Sequence, residues 1–133
     1  MDRSWMAVAA GGFLGACARY AIKLIGIRGT VFPMEILFIN LAGAFCLAFF
    51  LEVTLDRIQI PRDLRLGIGT GFIGAFTTFS TLCQEADALY RSPNPMMGSI
   101  YLAVSVIGGI LFAVGGMVLG RRMGAPERRE ESA

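Results

Sequence analysis

Histidine does not occur in this 133-residue chain, which removes the commonest proton shuttle and metal ligand. Cysteine is sparse and odd in number. Cys17, Cys46 and Cys83 all fall inside apolar segments, where buried free thiols acting as small hydrophobes are expected rather than a disulfide or a metal site. Charge is thin at 17% of residues, and none lies between Arg65 and Glu85. No Ser/His/Asp set, metal cluster, phosphate-cradling loop or HExxH pattern is present, so no enzyme active site is expected. The formal charge of +2 resides mostly in the ends and loops, and gives no reason to expect a nucleic-acid partner. Arg121, Arg122, Arg128 and Arg129 interleave with Glu127, Glu130 and Glu131 as a solvated, membrane-flanking tail. A cleavable signal is not expected either. The apolar run from Trp5 continues past Cys17 into Arg19 and Tyr20 and reads as a retained first span.

What fills the chain instead is apolar. Hydrophobic residues make up 55% of it, with a mean hydropathy of +0.63. A soluble domain of this size would lack the polar surface to cover itself. The reading is an all-α integral membrane protein and a single domain in contact with the lipid bilayer. Its spans fall at about 5–25, 33–55, 64–90 and 97–119, with a polar tail at 121–133.

The third span carries the anomaly around which the others are organised. Its middle reads Gly74-Ala75-Phe76-Thr77-Thr78-Phe79-Ser80-Thr81-Leu82, in which four of nine side chains are hydroxyls. Ser and Thr offer the backbone competing hydrogen bonds, and Gly67, Gly69, Gly71 and Gly74 behind them each weaken a helix. Such a segment is tolerable at membrane depth where its freed backbone groups face protein, water or an ion. A break over 74–80 is therefore expected, as the functional centre. Glu85 lies four residues after Thr81 on the same face, lining a watery mouth or simply meeting the interface.

The other spans each carry a polar or small-residue face. Gly11, Gly15 and Arg19 share one face of the first, where small residues four apart let a helix approach closely. Arg19 is either a snorkelling charge, with Lys23 and Arg28 close behind, or an anion-attracting charge at a vestibule. Pro33 suits the first turn of the second span. Asn40, set among Ile36, Leu37, Phe38, Ile39 and Leu41, is either interhelical glue or a pore-lining donor. Ser92-Pro93-Asn94-Pro95 is a turn. In the fourth span Tyr101, Ser105 and Gly109 recur every four residues, a stripe that lines a narrow path or bonds to a neighbour.

Topology is weakly specified. With both ends on one side, that side carries Arg3, Arg57, Arg62, Arg65, Arg121, Arg122, Arg128 and Arg129, and the other Arg19, Lys23, Arg28 and Arg91. Discounting Arg128 and Arg129 in the distal tail leaves six against four, a bias toward cytoplasmic ends weak enough for insertion in both orientations. Four short spans rich in glycine, with little room for a pore inside one subunit, suggest an oligomer, most simply a dimer. A path lined by hydroxyls, an amide and aromatic edges, without buried anionic competitors, suits a small anion better than a cation.

The stretch from Gly74 to Leu82, with Glu85 three residues on, resembles the signature of the CrcB/Fluc family of small bacterial fluoride channels. Gly11-Gly12-Phe13-Leu14-Gly15-Ala16 followed by Arg19-Tyr20 is similar to that family's first helix, Asn40 with Gly43 to its second, and Tyr101 with Ser105 to its fourth. The resemblance covers all four spans in order. It implies an antiparallel, dual-topology homodimer in the bacterial inner membrane, with two fluoride pores at its interface and passive export that protects the cell. It implies a central structural Na+ held by backbone carbonyls, which by motif position are those of Gly74 and Thr77. Phe79 matches the first phenylalanine that meets fluoride by its ring edge. Asn40 matches the pore amide, Tyr101 and Ser105 the fourth-helix polar track, and Ser80 and Thr81 the motif hydroxyls, with Thr81 facing the pore. Arg19 matches a charge near the entrance.

The chain departs from the family pattern twice. Ala75 stands where a second glycine is usual, and Leu82 where the second phenylalanine is usual. Leucine has no ring quadrupole to offer an anion, so conduction with altered rate or affinity is expected. Two other readings remain. A proton-coupled small multidrug exporter resembles a mechanism needing a first-helix Glu, and none lies between Trp5 and Ile25. A non-conducting membrane subunit would use Asn40, Ser105 and the glycine faces only to hold helices together.

Overall fold

The computed structural model describes residues 4–25, 32–56 and 58–123. Arg3, Arg28, Arg57 and the tail from residue 124, with Arg128 and Arg129, lie outside them, as does most of the first loop. The described elements are all helical. They are α1 (Ser4–Ile25), α2 (Met34–Asp56), α3 (Arg62–Leu66), a π-helical segment (Gly67–Ile73), α4 (Gly74–Phe76), α5 (Phe79–Tyr90) and α6 (Met96–Arg122). Four helical stretches are long and apolar enough to cross a membrane: Ser4–Ile25, Met34–Leu55, Arg62–Tyr90 and Met96–Arg122.

Local chemistry sets the ends. Pro33 precedes α2, and its carbonyl accepts the Leu37 N–H at 3.2 Å, so the missing proline N–H costs the helix nothing. The Ser92–Pro95 turn closes α5, with Ser92 Oγ donating to Leu89 O at 2.7 Å. At the opposite face of the bundle, Ser4 Oγ donates to Asp63, and Arg121 pairs with Glu52 at 2.9 Å. These contacts tie the start of α1 to α3 and the end of α6 to α2.

The two halves of the third stretch pack on different neighbours. α3, the π-helical segment and α4 lie against α1, whereas α5 lies against α6, and α2 packs along α6 and touches both halves. The contact with α1 is between backbones. A Cβ on Gly11 would stand 2.0 Å from Gly67 O, and one on Gly15 would stand 2.1 Å from Phe72 O. Only glycine permits that approach, and close backbone packing supplies the attraction that lipid cannot. The core forms where α2, α5 and α6 meet, around Ile36, Ile39, Leu82, Leu89 and Tyr101.

One expectation is corrected. Cys17, Cys46 and Cys83 are free but exposed on the outside of the single chain, not buried. Spans that are apolar all round turn hydrophobic groups outward as readily as inward, and a small thiol is at home on either side.

Candidate functional site

The site is built where α4 stops. Thr77 turns to ψ 159°, Thr78 is extended at φ −151° and ψ 121°, and α5 begins at Phe79. Thr78 caps the new helix: its Oγ1 accepts the Thr81 N–H at 3.2 Å, donates to Thr81 Oγ1 at 3.0 Å, and lies 3.3 Å from Ser80 Oγ. One hydroxyl thus organises the first turn of α5, the usual service of threonine at this position.

The interruption frees backbone groups, and Asn40 takes up two of them. In a continued helix the Thr78 N–H would bond to the Gly74 carbonyl, four residues back. It donates instead to Asn40 Oδ1 at 2.9 Å, while Asn40 Nδ2 donates to Thr78 O at 3.1 Å. An amide with one acceptor and two donor hydrogens fits a peptide edge in this way and keeps one N–H over. The Gly74 carbonyl receives the Thr77 hydroxyl at 3.3 Å, but that proton also points at Ile73 O, 3.1 Å away. Gly74 O is therefore weakly satisfied. Gly43, one turn after Asn40, makes room for the turn itself, since a Cβ there would stand 2.1 Å from Thr77 Cγ2.

Above this junction lies an open groove of about 340 Å³ between α2, α5 and α6. Asn40, Thr77, Thr78 and Ser105 give it polar atoms, and Phe79 and Leu82 give it apolar walls. Phe79 is 79% exposed on its own chain. Ser105 Oγ donates to Tyr101 O at 2.7 Å, and the residue lines the groove from α6. The groove opens on the outside of a single chain at the level of the membrane spans. Polar atoms there cannot be satisfied by lipid tails, so this face requires a cover of protein or water.

Several expected site residues lie elsewhere. Tyr101 is not in the groove: it is 0% exposed, set edge-on to Phe32 with centroids 5.4 Å apart and planes at 81°. Its hydroxyl is buried without a hydrogen-bond partner among the described residues. Ser80 and Thr81 sit on the first turn of α5, engaged with Thr78, and neither lines the groove. Leu82 does both jobs, closing the groove and joining the core. Glu85 is half-buried one turn beyond Thr81, and Arg19 is half-buried on α1, against the other half of the third stretch. Sequence reasoning singled out neither Thr78 nor Gly109 as a site residue. The signal for Thr78 was its place just ahead of a helix-length run. Gly109 stands in the four-residue stripe with Tyr101 and Ser105, but only packing shows that a Cβ there would meet nothing within 4 Å.

Comparison with known proteins finds relatives along most of the chain. Residues 6–117 match the family described as CrcB-like protein, Camphor Resistance (CrcB). The chain is 41% identical over 115 residues to a protein of Prosthecochloris aestuarii named fluoride-specific ion channel FluC, covering 86% of this chain and 90% of that one. It is also 41% identical over 116 residues to fluoride-specific ion channel FluC 2 of Carboxydothermus hydrogenoformans, covering 87% of this chain and 86% of the relative. A FluC 2 of Geobacillus kaustophilus is 36% identical over 128 residues, 95% of this chain and 96% of its own length.

Proposed function

This chain belongs to the CrcB-like family, and from that premise we propose that it is a fluoride-specific ion channel of the multi-pass membrane type, carrying fluoride passively out of the cell. The observation that carries the reading is the outward-facing groove at the helix interruption. It gathers the remaining N–H of Asn40 and the exposed Phe79, an amide donor and a ring whose rim is electropositive, both suited to an anion, with no carboxylate among its walls. Fluoride is small and strongly hydrated, so a path for it must replace lost water with donors at close range.

A second copy of the chain, inserted in the opposite orientation in the bacterial inner membrane, is the cover this groove calls for. The near balance of basic residues on the two sides is consistent with dual insertion, and the exposed Phe79 ring would enter the partner's half of the pathway. The carbonyls of Gly74 and Thr77 would hold a structural Na+ at the centre of such a pair. The donor chemistry fits: Gly74 O has lost its helical N–H donor to Asn40 and retains half of a shared hydroxyl proton. A hard cation favours such oxygens. Bound there, the ion would supply fixed positive charge and crosslink two interrupted helices.

The test is ion release from proteoliposomes holding the purified protein, read with fluoride and chloride electrodes. Fast fluoride release with chloride retained is expected. Phe79→Ile should fold normally, because Phe79 is 79% exposed on its own chain, yet lose most of the flux. Full flux in that variant would remove Phe79 from the pathway, and silence from an intact wild-type dimer would sink the channel reading.

A further inference from the structure

The groove at the interruption does not end there. It shares Ala44 and Leu47 with a second, larger hollow of about 510 Å³ between α2 and α6. On α2 the shared face passes from Asn40 through Ala44 and Ala48 to Glu52, in steps of four residues. On α6 it passes from Ser105 through Gly109 and Ala113 to Met117, and the next step of four is Arg121. Two helices thus frame one trench, about 18 Å long from Asn40 to Glu52 at 1.5 Å per residue. It runs from the centre of the spans to the end where α2 and α6 finish. Ala44, Ala48, Gly109 and Ala113 keep it open between the larger Leu47, Leu51, Leu55 and Met117, and its far end carries the sole carboxylate of its walls among the described residues.

That carboxylate is not bare. Glu52 keeps 15% of its side chain exposed, and Arg121 Nε donates to its Oε1 at 2.9 Å. Gly120 lets the acid lie against α6, since a Cβ there would stand 3.0 Å from Glu52 Cβ. We infer that the trench is the mouth of the anion pathway, and that Arg121 holds Glu52 in a charge-cancelling pair which sets how readily anions enter. The inference rests on the channel reading above. A bare carboxylate in a low-dielectric cleft would focus a repulsive field on an incoming anion. Paired at hydrogen-bond distance, it leaves only a short-range dipole. Glu52 and Arg121 are positioning residues for charge, with no direct role at the groove's donors.

The experiment is a charge cycle read as initial fluoride efflux at low ionic strength, with dimer content checked by size exclusion. Arg121→Gln should slow entry about threefold or more, the effect of one unscreened charge at several ångströms, and Arg121→Lys should stay near the wild-type rate. Adding Glu52→Gln to Arg121→Gln should restore the rate. The deficit of Arg121→Gln should also fade in concentrated impermeant salt, which screens exposed charge and would not mend a packing defect. If Arg121→Gln fails to assemble, Glu52→Gln decides the matter, since it should exceed the wild type by a similar factor. Equal rates across the cycle, or a deficit that neither Glu52→Gln nor salt relieves, would overturn the inference. A wild type that releases no fluoride would instead take down the channel reading beneath it.

Discussion

Asn40 and Thr78 face each other as one amide to another, through Thr78 N–H to Oδ1 at 2.9 Å and Nδ2–H to Thr78 O at 3.1 Å. A side chain of α2 thereby replaces the helical bonds that the third stretch gives up at its interruption. The residue is both the brace of that junction and a donor to the groove. The two roles predict different consequences for different substitutions.

Asn40→Asp keeps the acceptor for Thr78 N–H, loses the donor to Thr78 O and places a negative charge in the groove. Fluoride flux should fall at least a hundredfold, with a loss of about 1–3 kcal/mol from the unpaired carbonyl. Efflux measured beside unfolding in detergent separates the two effects. A stable dimer with normal flux would contradict the placement of Asn40 in the pathway.

Thr78→Ala removes the cap of α5 and should cost about 0.5–2 kcal/mol, most of it recovered in Thr78→Ser. The check is thermal unfolding of both variants side by side. If alanine and serine melt together, the hydroxyl is not holding the first turn of α5.

Gly15→Ala would set a methyl 2.1 Å from Phe72 O and force α1 from the π-helical segment, at about 1–3 kcal/mol. Gly109→Ala meets nothing within 4 Å in its own chain and should leave stability within about 0.5 kcal/mol. Its methyl would nonetheless narrow the groove, so flux should drop without a matching fall in melting temperature. A Gly109→Ala variant that conducts as the wild type does would argue that the groove is wider than the anion path.

Sodium should stabilise the assembled protein. Above its dissociation constant, each tenfold rise in Na+ should add about 1.4 kcal/mol per site, seen as a higher melting temperature than in a bulky organic cation. Gly74→Ala is a useful companion, since it leaves the carbonyl in place and should keep the response. An unchanged melting temperature across cations would remove the central ion site.

The sequence alone determined that this is a chain of four membrane-crossing helical stretches, because length and apolar content decide that locally. It marked the third stretch as special through Thr77, Thr78 and the glycines behind them, and marked Asn40 as an amide in need of a partner. Tertiary structure decided which partner. The Asn40 bond to Thr78, 38 residues away, has no trace in spacing, nor has the closure of Gly43 on Thr77. The polar face of the fourth span shows the limit most plainly. Tyr101 and Ser105 share a face by periodicity, yet one ring is sealed in the core while the serine a turn away lines the groove. A stripe on a helix says which residues point together; only the neighbouring helix decides where along that stripe protein ends and open space begins. The outward cysteines teach the same lesson. In a lipid-exposed helix the apolar rule that buries residues in soluble proteins no longer tells inside from outside.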